Sequence, residues 1–130
     1  MKDTNLEELV RYRFTKASDT LQEIDILLQN ELWNTAVNRL YYACYYAVSA
    51  LLLNHSITAQ THAGVRQMFG MHIIKPGKIS KDLGKFYSDI FDMRQTGDYE
   101  DFIDFSKDDV NELIIPAKEL IEAIGKHLNM

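Results

Sequence analysis

The chain has 130 residues, a length that fits one domain with a hydrophobic core of its own, residues 1–130. Apolar residues make up 46% and charged residues 25%, the balance of a globular protein and not of a disordered one. The excess of 19 Asp and Glu over 14 Lys and Arg excludes broad electrostatic binding to nucleic acid and leaves room only for a small local basic site.

The single cysteine, Cys44, excludes an intrachain disulfide or a cysteine zinc cluster and predicts a reducing compartment. At the start, M-K-D-T-N-L-E-E-L carries acids where a signal peptide needs a continuous apolar segment. The longest apolar-rich run, Leu40 to Leu53, is shorter than the ~20 residues that cross a bilayer. A cytoplasmic protein with no membrane association is expected.

In chain order, Val10, Phe14, Ala17, Leu21, Ile24 and Leu28 recur at steps of four and three, the spacing of one amphipathic helix. After Gln29-Asn30 a second helix is predicted from Leu32 to Asn54, with the stripe Trp33, Val37, Leu40, Cys44, Val48 and Leu51. A further row of Ala36, Ala43, Ala47 and Ala50 makes it apolar on more than one side and therefore central. A short helix, T-H-A-G-V-R-Q-M-F, follows with Thr58 or Thr61 as N-cap, and Lys75-Pro76-Gly77-Lys78 ends it in a turn.

Ser80 can cap the next helix, which carries Leu83, Tyr87, Ile90 and Arg94 on one face and is predicted to stop near Gly97. The last helix starts after Ser106, where Ser-Lys-Asp-Asp supplies a cap and a negatively charged first turn. Its stripe, Val110, Ile114, Ala117, Ile121, Ile124 and Leu128, keeps phase across Pro116, which predicts a kink and not a break. No segment alternates as a strand does. The fold class is all-α, a four-helix up-and-down bundle with a short additional helix.

Little in this pattern suggests a metal or cofactor. The four histidines, His55, His62, His72 and His127, lack the paired spacing of a helical zinc site, and the acidic run from Asp98 to Asp109 lacks the alternating ligands and central glycine of a calcium loop. Tyr41, Tyr42, Tyr45 and Tyr46 fit either a core or dimer interface or a surface on which bases stack. Asn38 and Arg39 open the same helix on the side of Tyr42 and Tyr46, where a polar pocket beside the bundle can form. His62 stands in the first turn of the short helix, the place of an exposed or capping residue, and suits acid–base work only if it faces a cleft. The most conspicuous residue is Arg94, a cation closing an apolar stripe.

Four stretches together carry a recognisable pattern: N-R-L-Y-Y-A-C-Y-Y-A-V-S-A-L-L-L, T-H-A-G-V-R-Q-M-F, R-Q-T-G-D-Y, and a final helix containing P-A-K-E-L-I. The chain resembles the HEPN-domain family, within it the small stand-alone prokaryotic members, over nearly its whole length. That resemblance implies a bundle of four or five helices that commonly forms a two-fold homodimer. It also implies a toxin–antitoxin arrangement with a minimal nucleotidyltransferase, since many members are encoded beside one. Active HEPN toxins are metal-independent ribonucleases whose motif is an arginine, four to six further residues and a histidine, with a polar residue often following the arginine.

Carried over residue by residue, Arg94 matches the motif arginine and Gln95 its polar neighbour, but Tyr99 holds the earliest histidine position and Glu100 and Asp101 the later ones. A phenol with a pKa near ~10 is a poor substitute for an imidazole near ~6.5. Arg66 and His72 also satisfy the spacing as text, but they lie on the short helix, outside the motif's structural context.

Two functions follow from the resemblance. One is a regulatory module that binds a nucleotide or RNA near Arg94, with Asp98 orienting the guanidinium, Tyr99 offering a stacking face or a hydroxyl open to modification, and Asn38, Arg39 and Tyr42 lining the pocket. The alternative is a ribonuclease toxin in which Arg94 is catalytic and another residue, such as His62, moves the proton. An ion pair of Arg94 with Asp98, four residues on, is the structural alternative to both.

Overall fold

The computed structural model describes residues 4–99 and 103–130. Among these residues every regular element is helical: α1 (Thr4–Gln22), α2 (Ile24–Gln29), α3 (Trp33–Asn54), α4 (His62–Phe69), α5 (Lys81–Tyr99) and α6 (Lys107–Leu128), with a π-helical turn at Gly70–Ile74. None of these helices is long and apolar enough to cross a membrane. The long helices α1, α3, α5 and α6 form the bundle, and α3 packs against the other three.

The centrality of α3 follows from its two apolar rows. Val37, Leu40, Cys44, Val48 and Leu51 are buried, and so are Ala36, Ala43, Ala47 and Ala50. Small side chains on one row let a neighbouring backbone approach, while the larger row, roughly 90° round the helix, fills the adjacent side. From the facing helices come Val10, Ala17, Tyr87, Ile90, Val110, Ala117, Leu120 and Ile124, all buried. Burial pushes the Cys44 thiol up to about 12.

Three details depart from the helices expected from sequence. The first helix is two, because the chain tightens at Glu23, whose N–H donates to the Thr20 carbonyl at 3.1 Å. Thr20 is buried and its hydroxyl donates to the Lys16 carbonyl at 2.7 Å, a back-bond that bends helices. The short helix is prolonged by the π-helical turn, in which the Lys75 N–H reaches the Gly70 carbonyl five residues back, at 2.9 Å. Gly77, at φ +86°, then reverses the chain.

The third departure concerns the helix expected to stop near Gly97. Helix α5 passes through Gly97 to Tyr99, so this glycine is not a cap. A Cβ on it would stand 2.7 Å from the Phe105 ring; the position is glycine because another side chain occupies the space. Phe105 is held there by Asn34 in the first turn of α3, whose Oδ1 accepts from the Phe105 N–H at 2.7 Å and whose Nδ2 donates to the Ile103 carbonyl at 3.0 Å. One amide therefore fixes the segment entering α6 and the end of α5 together.

The expected caps form. The Thr61 hydroxyl accepts from the Gly64 N–H and Ser80 from the Leu83 N–H. Ser106 and Asp109 make a reciprocal capping box, satisfying two donors that a helix start otherwise leaves free. Helix α6 is continuous through Pro116.

Candidate functional site

Helix α5 points Arg94 inward. Its apolar face buries Tyr87 and Ile90 against α3, and Arg94, one turn further on, is carried into the same interface, where its side chain is only 7% exposed. The guanidinium lies over two rings of α3, 4.8 Å from the centre of Tyr41 and 5.5 Å from that of Tyr42. Such contacts favour a cation, more so when water is partly excluded.

At the rim Asp98 is four residues along the same helix face, and its Oδ2 accepts from Arg94 Nη1 at 3.3 Å and from Asn38 Nδ2 at 3.2 Å. Arg94 Nε is buried and has no partner among the described residues. Burial opposes the charge on Arg94, but Tyr42, Asp98 and Tyr41 outweigh it and hold its pKa above the ordinary value. The site thus keeps a permanent cation with unused donor capacity.

A third element completes the cluster. His62 is the first residue of α4, placed there by the Thr61 cap. Its Nδ1 is 2.7 Å from the Tyr41 hydroxyl, and its ring stacks on Tyr45 with centres 4.3 Å apart. Burial, followed by the charge of Arg94, lowers the His62 pKa, so the imidazole is neutral at pH 7. Burial pushes the Tyr41 phenol up to about 12, and it too is neutral. When Nδ1 is unprotonated, Tyr41 donates to it and Nε2 carries the ring proton.

The residues singled out from sequence therefore fall into two groups. Arg94, Asp98, Asn38, Tyr42 and His62 meet at the α3–α4–α5 junction. Gln95 and Tyr99 face elsewhere: with Asp92 and Thr96 they line a shallow depression on another side of α5, and Tyr99 is 77% exposed. In a continuous helix, residues five apart stand roughly 140° apart around the axis, so Arg94 and Tyr99 cannot share a pocket within one chain. The later motif positions, Glu100 and Asp101, lie outside the described residues. Arg39 turns to α1–α2, where its Nε donates to Glu23 at 3.0 Å.

The second arginine–histidine pair is placed differently. Arg66 packs over the Phe91 ring at 4.1 Å and pairs with Asp92 at 3.1 Å, while His72 lies exposed in the π-helical turn.

Tyr41 and Tyr45 are the residues that sequence inspection did not put in the site. Tyr41 joins His62 to Arg94 and Tyr45 stacks on the His62 ring; the signal for them was the three-and-four spacing Asn38, Tyr41, Tyr45, which sets all three on one face of α3.

Comparison with known proteins agrees with this architecture. The family model described as HEPN domain matches residues 10–128. The chain belongs to the HEPN domain family. This HEPN domain is 40% identical to a "UPF0332 protein" of Thermotoga maritima over 92% of the chain and 91% of the relative. Two Methanocaldococcus jannaschii proteins that carry the name "Putative toxin" are 31% and 28% identical to it, each over 95% of this chain and over 81% and 92% of their own lengths.

Proposed function

We propose that this HEPN domain is the toxin-like, RNA- or nucleotide-associated member of a two-component system, and that Arg94 is its phosphate-binding residue. The carrying observation is the state of that arginine: a buried cation with an unpartnered Nε and one carboxylate at its outer edge. A guanidinium recognises phosphate through several N–H groups at once, and the aromatic floor of Tyr41 and Tyr42 orients it. Asp98 and Asn38 position the fork until a phosphate takes the free donors. The toxin names of the two archaeal relatives support the same role.

The domain acts as a two-fold dimer, and its partner is a minimal nucleotidyltransferase. The exposed Tyr99 hydroxyl is open to modification by that partner. The test of binding is titration of a labelled single-stranded RNA with the purified protein, without added metal. Saturable binding that Arg94→Ala removes supports the proposal; undiminished binding by the variant refutes it. Co-expression with the nucleotidyltransferase and recovery of both chains in one complex tests the partner.

A metal-independent ribonuclease is the second possibility, and His62 is the observation that favours it. A neutral imidazole sits one hydroxyl away from the ring on which Arg94 rests, and in the tautomer that donates from Nδ1 to Tyr41 its Nε2 is a free proton acceptor near a group that can stabilise charge at a scissile phosphate. If the same RNA is cleaved without metal and both Arg94→Ala and His62→Ala abolish cleavage, the domain is an enzyme. Intact RNA at high protein concentration restricts it to binding.

A further inference from the structure

The tyrosines of α3 do not end at Arg94. Tyr42, Tyr45 and Tyr46 follow one another with ring centres 5.9 to 6.0 Å apart, and each is only partly buried. At one end of this run Arg94 lies 5.5 Å from the Tyr42 ring. At the other, Lys16 of α1 brings its Nζ 4.7 Å from the Tyr46 ring. Two cations from different helices thus cap one continuous aromatic surface.

The far end is a cleft of about 280 Å³ between α1 and α3, lined by Tyr12, Arg13, Lys16, Tyr45, Tyr46 and Ser49 among others. Neither Arg13 nor Lys16 pairs with a carboxylate among the described residues, whereas Arg39, Arg66 and Arg94 each do. Tyr12 stands beside them 63% exposed, an aromatic face that no packing explains.

We infer that this α1–α3 cleft is a second anchoring site, and that the domain holds a single-stranded RNA with one phosphate at Arg94 and the following nucleotides along Tyr45 and Tyr46 toward Arg13 and Lys16. Aromatic faces accept any base, and cations beside them neutralise the backbone. A small cationic cleft is compatible with a net charge of −5, because only the local field acts on the strand. The inference rests on the phosphate role of Arg94 proposed above and narrows the ligand from any nucleotide to a strand of several.

The test uses a short fluorescein-labelled oligouridylate and, separately, uridine monophosphate. Arg13→Ala combined with Lys16→Ala is expected to weaken oligouridylate binding about ten-fold or more, lower the salt slope by about 1.4, the value for two single-strand phosphate contacts, and leave the mononucleotide unaffected. Tyr12→Ala weakens the oligonucleotide about five-fold or more while Tyr12→Phe does not, as stacking requires. The charge-preserving pair Arg13→Lys with Lys16→Arg retains affinity, which separates loss of charge from loss of fold.

If the oligonucleotide binds, Arg94→Met weakens it and the alanine pair does not, the second anchor is overturned and the Arg94 proposal stands. Failure of the wild type to bind the oligonucleotide overturns the second anchor, and failure to bind uridine monophosphate as well overturns the Arg94 proposal.

Discussion

Replacing Arg94 with methionine separates a residue kept for binding from one kept for stability. In the folded protein the arginine has a buried Nε without a partner, a defect worth about 1–3 kcal/mol against the fold. Its favourable contacts are the two tyrosine rings, about 0.5–2 kcal/mol each, and an intrahelical pair with a carboxylate that is 35% exposed, only a few tenths after solvent screening. Methionine keeps most of the side-chain volume and regains about 0.3–1.5 kcal/mol by placing sulfur against the same rings. Asp98 is not stranded, because Asn38 still donates to it.

Taken at their mid-range values these terms cancel to within about 1 kcal/mol, which for a domain of this size is a shift of the melting temperature of roughly 3–6 °C in either direction. Thermal melts followed by far-UV circular dichroism measure it. A fall of more than about 10 °C would refute the reasoning, since it would show that the cation holds α3 and α5 together and that its burial is structural.

Three further outcomes are expected. Because burial and the charge of Arg94 lower the His62 pKa, the unfolded chain binds the proton more readily, so this group's contribution to stability is present above about 6.5 and fades as pH falls below it; His62→Asn flattens that part of the melting-temperature profile, and Arg94→Met moves the His62 NMR titration upward. Gly97→Val places carbon where a Cβ is already 2.7 Å from the Phe105 ring and lowers stability by about 1–3 kcal/mol in a denaturant titration, whereas a gain would mean that Phe105 moves aside freely. Cys44, fully buried with its thiol pushed up to about 12, stays inert to Ellman's reagent in the native protein and reacts in full in urea; rapid native labelling would contradict the packing of α3.

The bundle was legible because its helices obey periodicity. The double apolar row of α3 and the stripes of α5 and α6 follow from residue spacing, and the buried residues are largely those the spacing selects. Boundaries were less legible where a side chain from elsewhere decides the outcome: Gly97 looks like a stop, yet Phe105, held by Asn34 more than 70 residues away in sequence, explains the glycine. Arg94 stood out as a charge on an apolar stripe, and its depth in the interface follows from its phase with Tyr87 and Ile90.

The association of His62 with Arg94 was not legible, because it runs through Tyr41 and depends on how the loop before α4 returns over α3. Conversely, Arg94 and Tyr99 are neighbours in the motif but face different sides of α5, since a linear motif ignores helical phase.

The most direct test is the dissociation constant of single-stranded RNA for the wild type and for Arg94→Met, measured across a range of salt. A phosphate held by this guanidinium predicts at least a ten-fold loss of affinity, about 1.4 kcal/mol, and a salt slope smaller by about 0.7. Equal affinity and equal slope in a folded variant would contradict the account.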